Sequence, residues 1–142
     1  MTLKETKYFT LDEANRTLPF VRRVVSDIVV SYRSWKQRVY QYELVAGEGN
    51  TTVESEEQRK LREEIDEVAH RINRFVAELK PIGCVFKGFD DGLVDFHSEM
   101  DGREVFLCWK LGEDSVEHWH EIDVGFAGRQ QLVTSVGTGE GE

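Results

Sequence analysis

Apolar residues recur at alternating intervals of three and four through the first third of the chain, which is the spacing of one face of an α-helix. Thr10 and Glu13 match a capping box, so the helix should begin at Leu11. Pro19 interrupts the pattern, because proline lacks a backbone donor and clashes with the preceding turn. We therefore predict a first helix over residues 10–46 that is broken near Pro19. Its apolar positions are Leu11, Ala14, Leu18, Val21, Val25, Ile28, Tyr32, Trp35, Val39, Tyr42 and Ala46.

A second helical pattern covers residues 53–80. Glycines and an asparagine within residues 47–52 predict a loop before it, and Pro81 and Gly83 end it. The first helix is mainly basic, and the first half of the second is mainly acidic. The two should form a long antiparallel hairpin whose flanks attract each other. The apolar positions of the second helix are Leu61, Ile65, Val68, Ile72, Phe75 and Leu79.

Residues 84–124 change to a period of two, which is typical of antiparallel strands. Asp101-Gly102 is a strong hairpin turn signal. Folding about this turn places Phe96 opposite Leu107 on an apolar face, which should cover the helices. The other face then carries Asp95 opposite Cys108. We expect a small antiparallel sheet of three to four strands.

These patterns together predict the α+β class, with a helical hairpin packed against a small sheet. We assign residues 1–132 to a single domain. Residues 133–142 are rich in glycine and should form a flexible tail.

Composition narrows the classes of partner. The formal net charge of -9 argues against nucleic acid and against anionic membrane surfaces. No apolar stretch reaches the length of a membrane span, and residues 1–10 lack the apolar run of a secretion signal. Two cysteines in such a chain indicate reduced thiols. We expect a cytoplasmic protein with no nucleic-acid or membrane partner.

Thiol, imidazole and carboxylate groups are concentrated in the predicted sheet. His118 and His120 are two residues apart, so on a strand they project from the same face. If their strand lies beside that of Cys108, His120 comes close to Cys108 and Asp95. Nitrogen, sulfur and oxygen donors together suit zinc or a similar divalent metal. We therefore hypothesise a metal site formed by Cys108, His120, Asp95 and His118.

Each of these groups has a second interpretation. Both histidines also fit half-buried, hydrogen-bonded sheet positions beside Trp119. Cys108 would be a nucleophile if His120 served as its base, but a thiol between large apolar residues is more often an inert packing residue. Residues 125–129 could close over an anion or could dock Phe126 into the core.

Several segments resemble a bacterial family of unknown function, DUF2203. The similarity extends over about residues 9–132, and the combination of segments is specific although each alone is short. The segments are Phe9-Thr-Leu-Asp-Glu-Ala-Asn15, Thr17-Leu-Pro19, Gly92-Leu-Val-Asp-Phe96, Asp101-Gly-Arg103, Leu107-Cys-Trp109, Leu111-Gly-Glu113, Trp119-His-Glu121 and Gly125-Phe-Ala-Gly-Arg129.

The resemblance implies relatedness but no reaction, because the family has no established activity. Its members commonly have a proline at the position of His97 and an aromatic residue at the position of His118. It therefore favours five other residues for a shared site, with Asp95, Arg129 and Glu121 as candidates for binding a ligand. The five residues are Asp95, Cys108, His120, Glu121 and Arg129.

Two functions from different classes follow. The apolar face of the first helix is much longer than that of the second, and its excess needs a partner. We expect a non-enzymatic interaction protein that self-associates as a homodimer, with a further protein partner also open. The alternative is a small metal-binding or metal-dependent protein that uses the polar face of the sheet. The sequence alone does not decide whether the protein is an enzyme.

Overall fold

The computed structural model describes residues 6–48 and 53–132 and places a pair of helices beside an antiparallel sheet. Helix α1 spans Leu11–Glu48 and helix α2 spans Glu56–Leu79, and short 3₁₀ turns occupy Lys80–Ile82 and Phe126–Gly128. The strands are β1 (Val85–Gly88), β2 (Leu93–Met100), β3 (Arg103–Lys110), β4 (His118–Glu121) and β5 (Gln130–Gln131). The α+β class is thus confirmed. The predicted tail and residues 49–52 of the predicted loop lie outside the described residues.

Helix α1 runs through Pro19 without a break, so the predicted interruption is wrong. Its start is as expected, because Thr10 Oγ1 accepts from the Glu13 amide at 3.1 Å and Glu13 Oε1 accepts from the Thr10 amide at 2.9 Å. Pro19 is exposed, whereas Leu18 and Val21 are buried. Pro19 therefore lies on the exposed side of the helix, and the backbone hydrogen bond that it cannot donate is lost there. The buried side chains hold both halves of the helix in line.

Helices α1 and α2 pack against each other. Towards the connection between them, Arg38 Nε lies 3.2 Å from Glu64 Oε1 and Tyr42 donates to Glu54 Oε2 at 3.2 Å. Arg38–Glu64 is the ion pair that joins the two helices among the described residues; Lys36 instead reaches Asp90 in the β1–β2 turn. Apolar packing therefore holds the helices together more than the expected attraction between charged flanks. Neither described helix has an apolar window long enough to cross a membrane.

The sheet has five strands in the order β1-β2-β3-β4-β5, and each pairs antiparallel with the next. The predicted number of three to four strands is therefore too low. The strand that was missed, β5, contains only Gln130 and Gln131, which are both exposed and show no alternation. It pairs with His118 and Trp119 of β4, beyond the predicted end of the sheet at residue 124.

The hairpin of β2 and β3 has the predicted register, with Phe96 opposite Leu107 and Asp95 opposite Cys108. Asp101 and Gly102 form its turn with φ values of 53° and 82°. Two consecutive positive φ angles are the geometry of a type I′ turn, which matches the twist of paired strands. The local turn signal and the alternation of apolar residues therefore specify the same pairing.

One apolar cluster joins the helices to the inner face of the sheet. Strand side chains enter it from β2 and β3, and the longest buried stretch of α1 lies beneath them. Gly92 lets the β1–β2 turn approach α1, because a Cβ at this position would lie 2.8 Å from Val25 Cγ1. The buried residues of the cluster are Phe9, Ala14, Leu18, Val21, Val24, Val25, Ile28, Val29, Val68, Ile72, Leu79, Val94, Phe96, Leu107, Trp109 and Val116.

Substituting Leu107→Asp should unfold the protein. Leu107 is 3% exposed inside the apolar cluster, and an unpaired buried charge costs on the order of 3–5 kcal/mol, which is a large part of the stability of a small domain. Thermal unfolding followed by circular dichroism measures the effect. Val124→Asp is the matched control, because Val124 is 50% exposed and the same change should leave the melting temperature nearly unaltered. Equal melting temperatures for the wild type and Leu107→Asp would mean that the two faces of β3 are reversed.

Candidate metal centre

Three neighbouring strands bring a carboxylate, a thiol and an imidazole together on the sheet face that points away from the helices. Asp95 of β2 lies opposite Cys108 of β3. His120 of β4 lies opposite Phe106 of β3, and it is therefore the diagonal neighbour of Cys108 on the same face. One ligand atom from each of Asp95, Cys108 and His120 falls within 4.8 Å of the other two. The three predicted metal ligands that share this cluster therefore come from three separate strands.

All three residues are buried although they lie on the outer face. The exposed fractions are 4% for Asp95, 1% for Cys108 and 2% for His120. The segment after β4 covers them, with Ile122 and Phe126 over a cavity of about 220 Å³. The other residues that line the cavity are Lys87, Leu93, Phe106 and Gly125. The three residues are thus shielded from water within the outer face of the sheet.

The side chains of Asp95 and His120 form a hydrogen bond. His120 Nε2 lies 3.1 Å from Asp95 Oδ1, and its Nδ1 lies 2.8 Å from the backbone oxygen of Glu121. The Glu121 oxygen can only accept, so Nδ1 carries a proton. A second proton is then needed between Nε2 and the carboxylate. The pair is therefore either an imidazolium with a carboxylate or an imidazole with a carboxylic acid.

Cys108 completes the cluster as a neutral thiol. Burial raises its pKa to about 12, and the negative charge of Asp95 adds to this effect. Burial also raises the pKa of Cys84 to about 11, but that thiol lies at the start of the sheet beside the Leu79 carbonyl. Without a metal, neither thiol has the thiolate character of a nucleophilic cysteine.

A second polar cluster lies beside the first and contains two predicted site residues. Arg129 Nη2 lies 2.8 Å from Glu113 Oε1 and 3.5 Å from the carbonyl oxygen of Cys108. His118 Nδ1 lies 3.6 Å from Glu113 Oε2 and has no hydrogen-bond partner among the described residues. Burial pushes the pKa of Glu113 up, but the hydrogen bonds from Arg129 and the Lys110 amide hold it below its ordinary value. His118 therefore faces Glu113, and the three-atom cluster does not include it.

The Glu121 side chain points elsewhere. Both of its carboxylate oxygens lie 2.7 Å from Arg103 Nη1, and it is the backbone oxygen of Glu121 that reaches His120. His97 packs its ring 4.6 Å from that of Phe106 and is not part of the cluster. Of the three ligand-binding candidates, Asp95 belongs to the cluster and Arg129 lies beside it. The Glu121 carboxylate lies at neither place.

Two residues near the site were not among the sequence candidates. Glu113 organises Arg129 and His118, and the only signal for it was its place in the segment Leu111-Gly-Glu113. Lys87 lines the cavity from β1, and an exposed lysine on a short strand carries no signal of its own. The role of either residue can be recognised only from the folded structure.

The chain belongs to a family whose model, described as "Uncharacterized conserved protein (DUF2203)", matches residues 7–132. This confirms the resemblance seen in the sequence, and the match includes every residue of both polar clusters. No curated protein and no solved structure matches the chain at a significant level. The geometry of the site is therefore the basis for any functional argument.

The buried thiol predicts a specific dependence of stability on pH. Between an unfolded thiol pKa of about 8.5 and the folded value of about 12, only the folded state keeps the proton of Cys108. The stability that this proton contributes is fully present below about pH 8.5 and is lost as the pH rises. In the presence of a chelator, the unfolding free energy of the wild type should fall more steeply above about pH 9 than that of Cys108→Ser, by up to about 1.4 kcal/mol per pH unit.

Urea unfolding at several pH values measures this difference. Cys84→Ser is a second test of the same effect: Cys84 is half-buried and its pKa is also raised, so its curve should differ from that of the wild type in the same direction. Parallel curves for the wild type and Cys108→Ser would show that the Cys108 thiolate is tolerated in the folded state.

Proposed function

We propose that this member of the DUF2203 family binds a divalent transition metal, with Asp95, Cys108 and His120 as its protein ligands. The observation that carries the proposal is the convergence of three different donor atoms within 4.8 Å of one another on three buried residues. Zinc and similar borderline metals take imidazole nitrogen, thiolate sulfur and carboxylate oxygen, whereas calcium and magnesium prefer oxygen alone. The donor set therefore favours zinc.

The orientation of His120 supports a role as a ligand. Its Nδ1–H donates to the Glu121 carbonyl, which fixes the ring and directs Nε2 towards Asp95. Histidine ligands in metal sites commonly donate their other nitrogen to a carbonyl or carboxylate in this way. A metal would take the place of the proton between Nε2 and Oδ1.

Three protein ligands leave one position of a tetrahedral metal open. The cavity of about 220 Å³ adjoins all three ligand residues, so this position would face it. Structural zinc sites use four protein ligands, whereas sites that act on small molecules keep one position for water or substrate. The proposal therefore extends to a metal-dependent function exerted on a molecule in this cavity.

His120→Ala should abolish metal binding, and His70→Ala should not. The wild type, loaded with zinc and dialysed, should retain about one metal per chain, and His120→Ala should lose most of it because one of three ligands is gone. His70 is an exposed residue on α2 that bonds the Asp66 carbonyl, so its substitution is the matched control. Elemental analysis of identically purified proteins gives the stoichiometry.

A second matched pair uses the thiols. Cys108→Ala should lose the metal and Cys84→Ala should keep it, because only Cys108 belongs to the cluster. Absence of metal from the wild type, or equal metal in the wild type and His120→Ala, would make Asp95–His120 a structural pair and end the metal proposal.

Self-association is a second candidate function, favoured by an exposed stripe on α1. Val30, Tyr40 and Leu44 are 60%, 62% and 50% exposed, and with Arg33 and Gln37 they follow the alternation of three and four. Several of these residues line a shallow groove on the outside of the helix. The sequence prediction placed the excess apolar face at Tyr32, Trp35 and Tyr42, but these residues contact their own chain. The exposed stripe is therefore a different surface from the one predicted.

The stripe is complementary to itself in an antiparallel arrangement. If two copies of α1 pair about Gln37, Val30 of one lies opposite Leu44 of the other, and Arg33 lies opposite Tyr40. These are an apolar pair and a cation–π pair, and a two-fold axis makes each occur twice. The stripe therefore supports a homodimer through the outer face of α1.

Light scattering should give about twice the mass of one chain for the wild type at micromolar concentration. Leu44→Lys should shift the protein to the monomer, because the symmetric pairing would place each new ammonium against Val30. Val124→Lys is the control, because Val124 is equally exposed but lies far along the chain from the stripe. A wild type that is already monomeric would remove the self-association proposal.

A further inference from the structure

The cavity beside Asp95, Cys108 and His120 is small, and its lining has a polar part and an apolar part. Its floor is polar, and its walls are the apolar side chains of Phe106, Ile122 and Phe126. A volume of about 220 Å³ lies below the roughly 300 Å³ at which pockets for drug-sized ligands begin. An occupant must therefore be small and have both a polar end and an apolar part.

Cations gather around this cavity in a chain whose net charge is -9. The Lys87 ammonium lies 5.6 Å from the centre of the Phe106 ring. The Phe126 ring has Lys110 Nζ at 5.8 Å and Arg129 Cζ at 4.8 Å. Arg129 is paired with Glu113, but Lys87 and Lys110 have no carboxylate within ion-pair distance in the described part of the chain. Two cations beside the cavity are thus available to an anion.

The metal and its three protein ligands would need a neighbouring cation only when an anion is bound. A divalent metal with one carboxylate, one thiolate and one neutral imidazole has no net charge. An anion in the open position makes the centre negative, and a neighbouring ammonium compensates this charge beside three ligand residues that are themselves buried. Lys87 is the cation that lines the cavity itself.

From this arrangement we infer that the cavity binds a small organic carboxylate. This inference rests on the proposed metal site. The carboxylate takes the open position of the metal with Lys87 beside it, and the hydrocarbon part lies against Phe106, Ile122 and Phe126. The apolar walls select an organic anion over inorganic phosphate, and the cations reject an amine of the same size.

Cobalt(II) in place of zinc makes the site visible. The thiolate-to-cobalt band in the near ultraviolet reports that Cys108 binds the metal, and the visible bands report any change in the fourth ligand. Addition of butanoate at constant ionic strength should change the visible bands saturably. Acetate should bind more weakly because it lacks most of the apolar contact. Phosphate and butylammonium should leave the bands unchanged.

Substitutions at Lys87 test the ion contact. Lys87→Met should weaken butanoate binding roughly tenfold, the effect of one hydrogen bond to a charged group, and Lys87→Arg should restore most of the affinity. Lys60→Met is the matched control, because Lys60 is an exposed lysine on α2. Lys87 is itself exposed, so the variants should retain the wild-type melting temperature and the thiolate-to-cobalt band.

The outcomes separate this inference from the metal proposal. If cobalt binds with its thiolate band and butanoate leaves the visible bands unchanged, the carboxylate inference is overturned and the metal site stands. If phosphate acts as well as butanoate, the organic class is wrong. If Lys87→Met binds butanoate like the wild type, the ion contact is wrong. If cobalt does not bind, both the metal site and the inference fail.

Discussion

The register between β2 and β3 decides on which side of the sheet each of their side chains lies. Side chains alternate along a strand, so a slip of one residue would exchange the two faces. Asp95 and Cys108 would then enter the apolar cluster beneath α1, and Phe96 and Leu107 would leave it. Both the main core and the candidate site therefore depend on this pairing, which the Asp101-Gly102 turn fixes at one end.

The burial of Asp95, Cys108 and His120 on the outer face places ionisable groups away from water. Removing a carboxylate from water without a partner costs several kcal/mol, so Asp95 needs either a shared proton or a cation. The hydrogen bond between His120 Nε2 and Asp95 Oδ1 provides this shared proton, and the Glu121 carbonyl holds the His120 ring. The same geometry that satisfies the carboxylate leaves one nitrogen and one oxygen facing each other. A buried structural pair and the proposed metal site would thus use one arrangement, and the metal proposal rests on the position of Cys108 beside the pair.

Local signals made the helices and the central hairpin predictable. The capping box of Thr10 and Glu13 and the Asp101-Gly102 turn each act within a few residues, and their structures follow the sequence. The effect of Pro19 could not be predicted from local signals. Its exposed position, in a helix that buried neighbours hold straight, is a property of the tertiary structure. The strand β5 was missed for the same reason: its two glutamines pair with β4 only because the preceding segment folds back.

The candidate site was predictable in its residues but not in its detail. Asp95 and Cys108 follow from the hairpin register, whereas the place of His120 depends on a long connection from β3 whose geometry no turn motif specifies. Ile122, Phe126 and Lys87 show no sequence signal for a site, so only the folded chain reveals that they line one cavity.

The site and the core are mechanically one unit. Asp95 stands between Val94 and Phe96, which are fully buried against the helices, so the strand that holds the carboxylate cannot shift without disturbing the core. Cys108 is placed in the same way between Leu107 and Trp109. A ligand that binds only the folded arrangement of these strands would therefore stabilise the whole α+β structure by mass action. None of the residues in the outer stripe of α1 lines the cavity, so the two proposed functions use different surfaces and are compatible in one molecule.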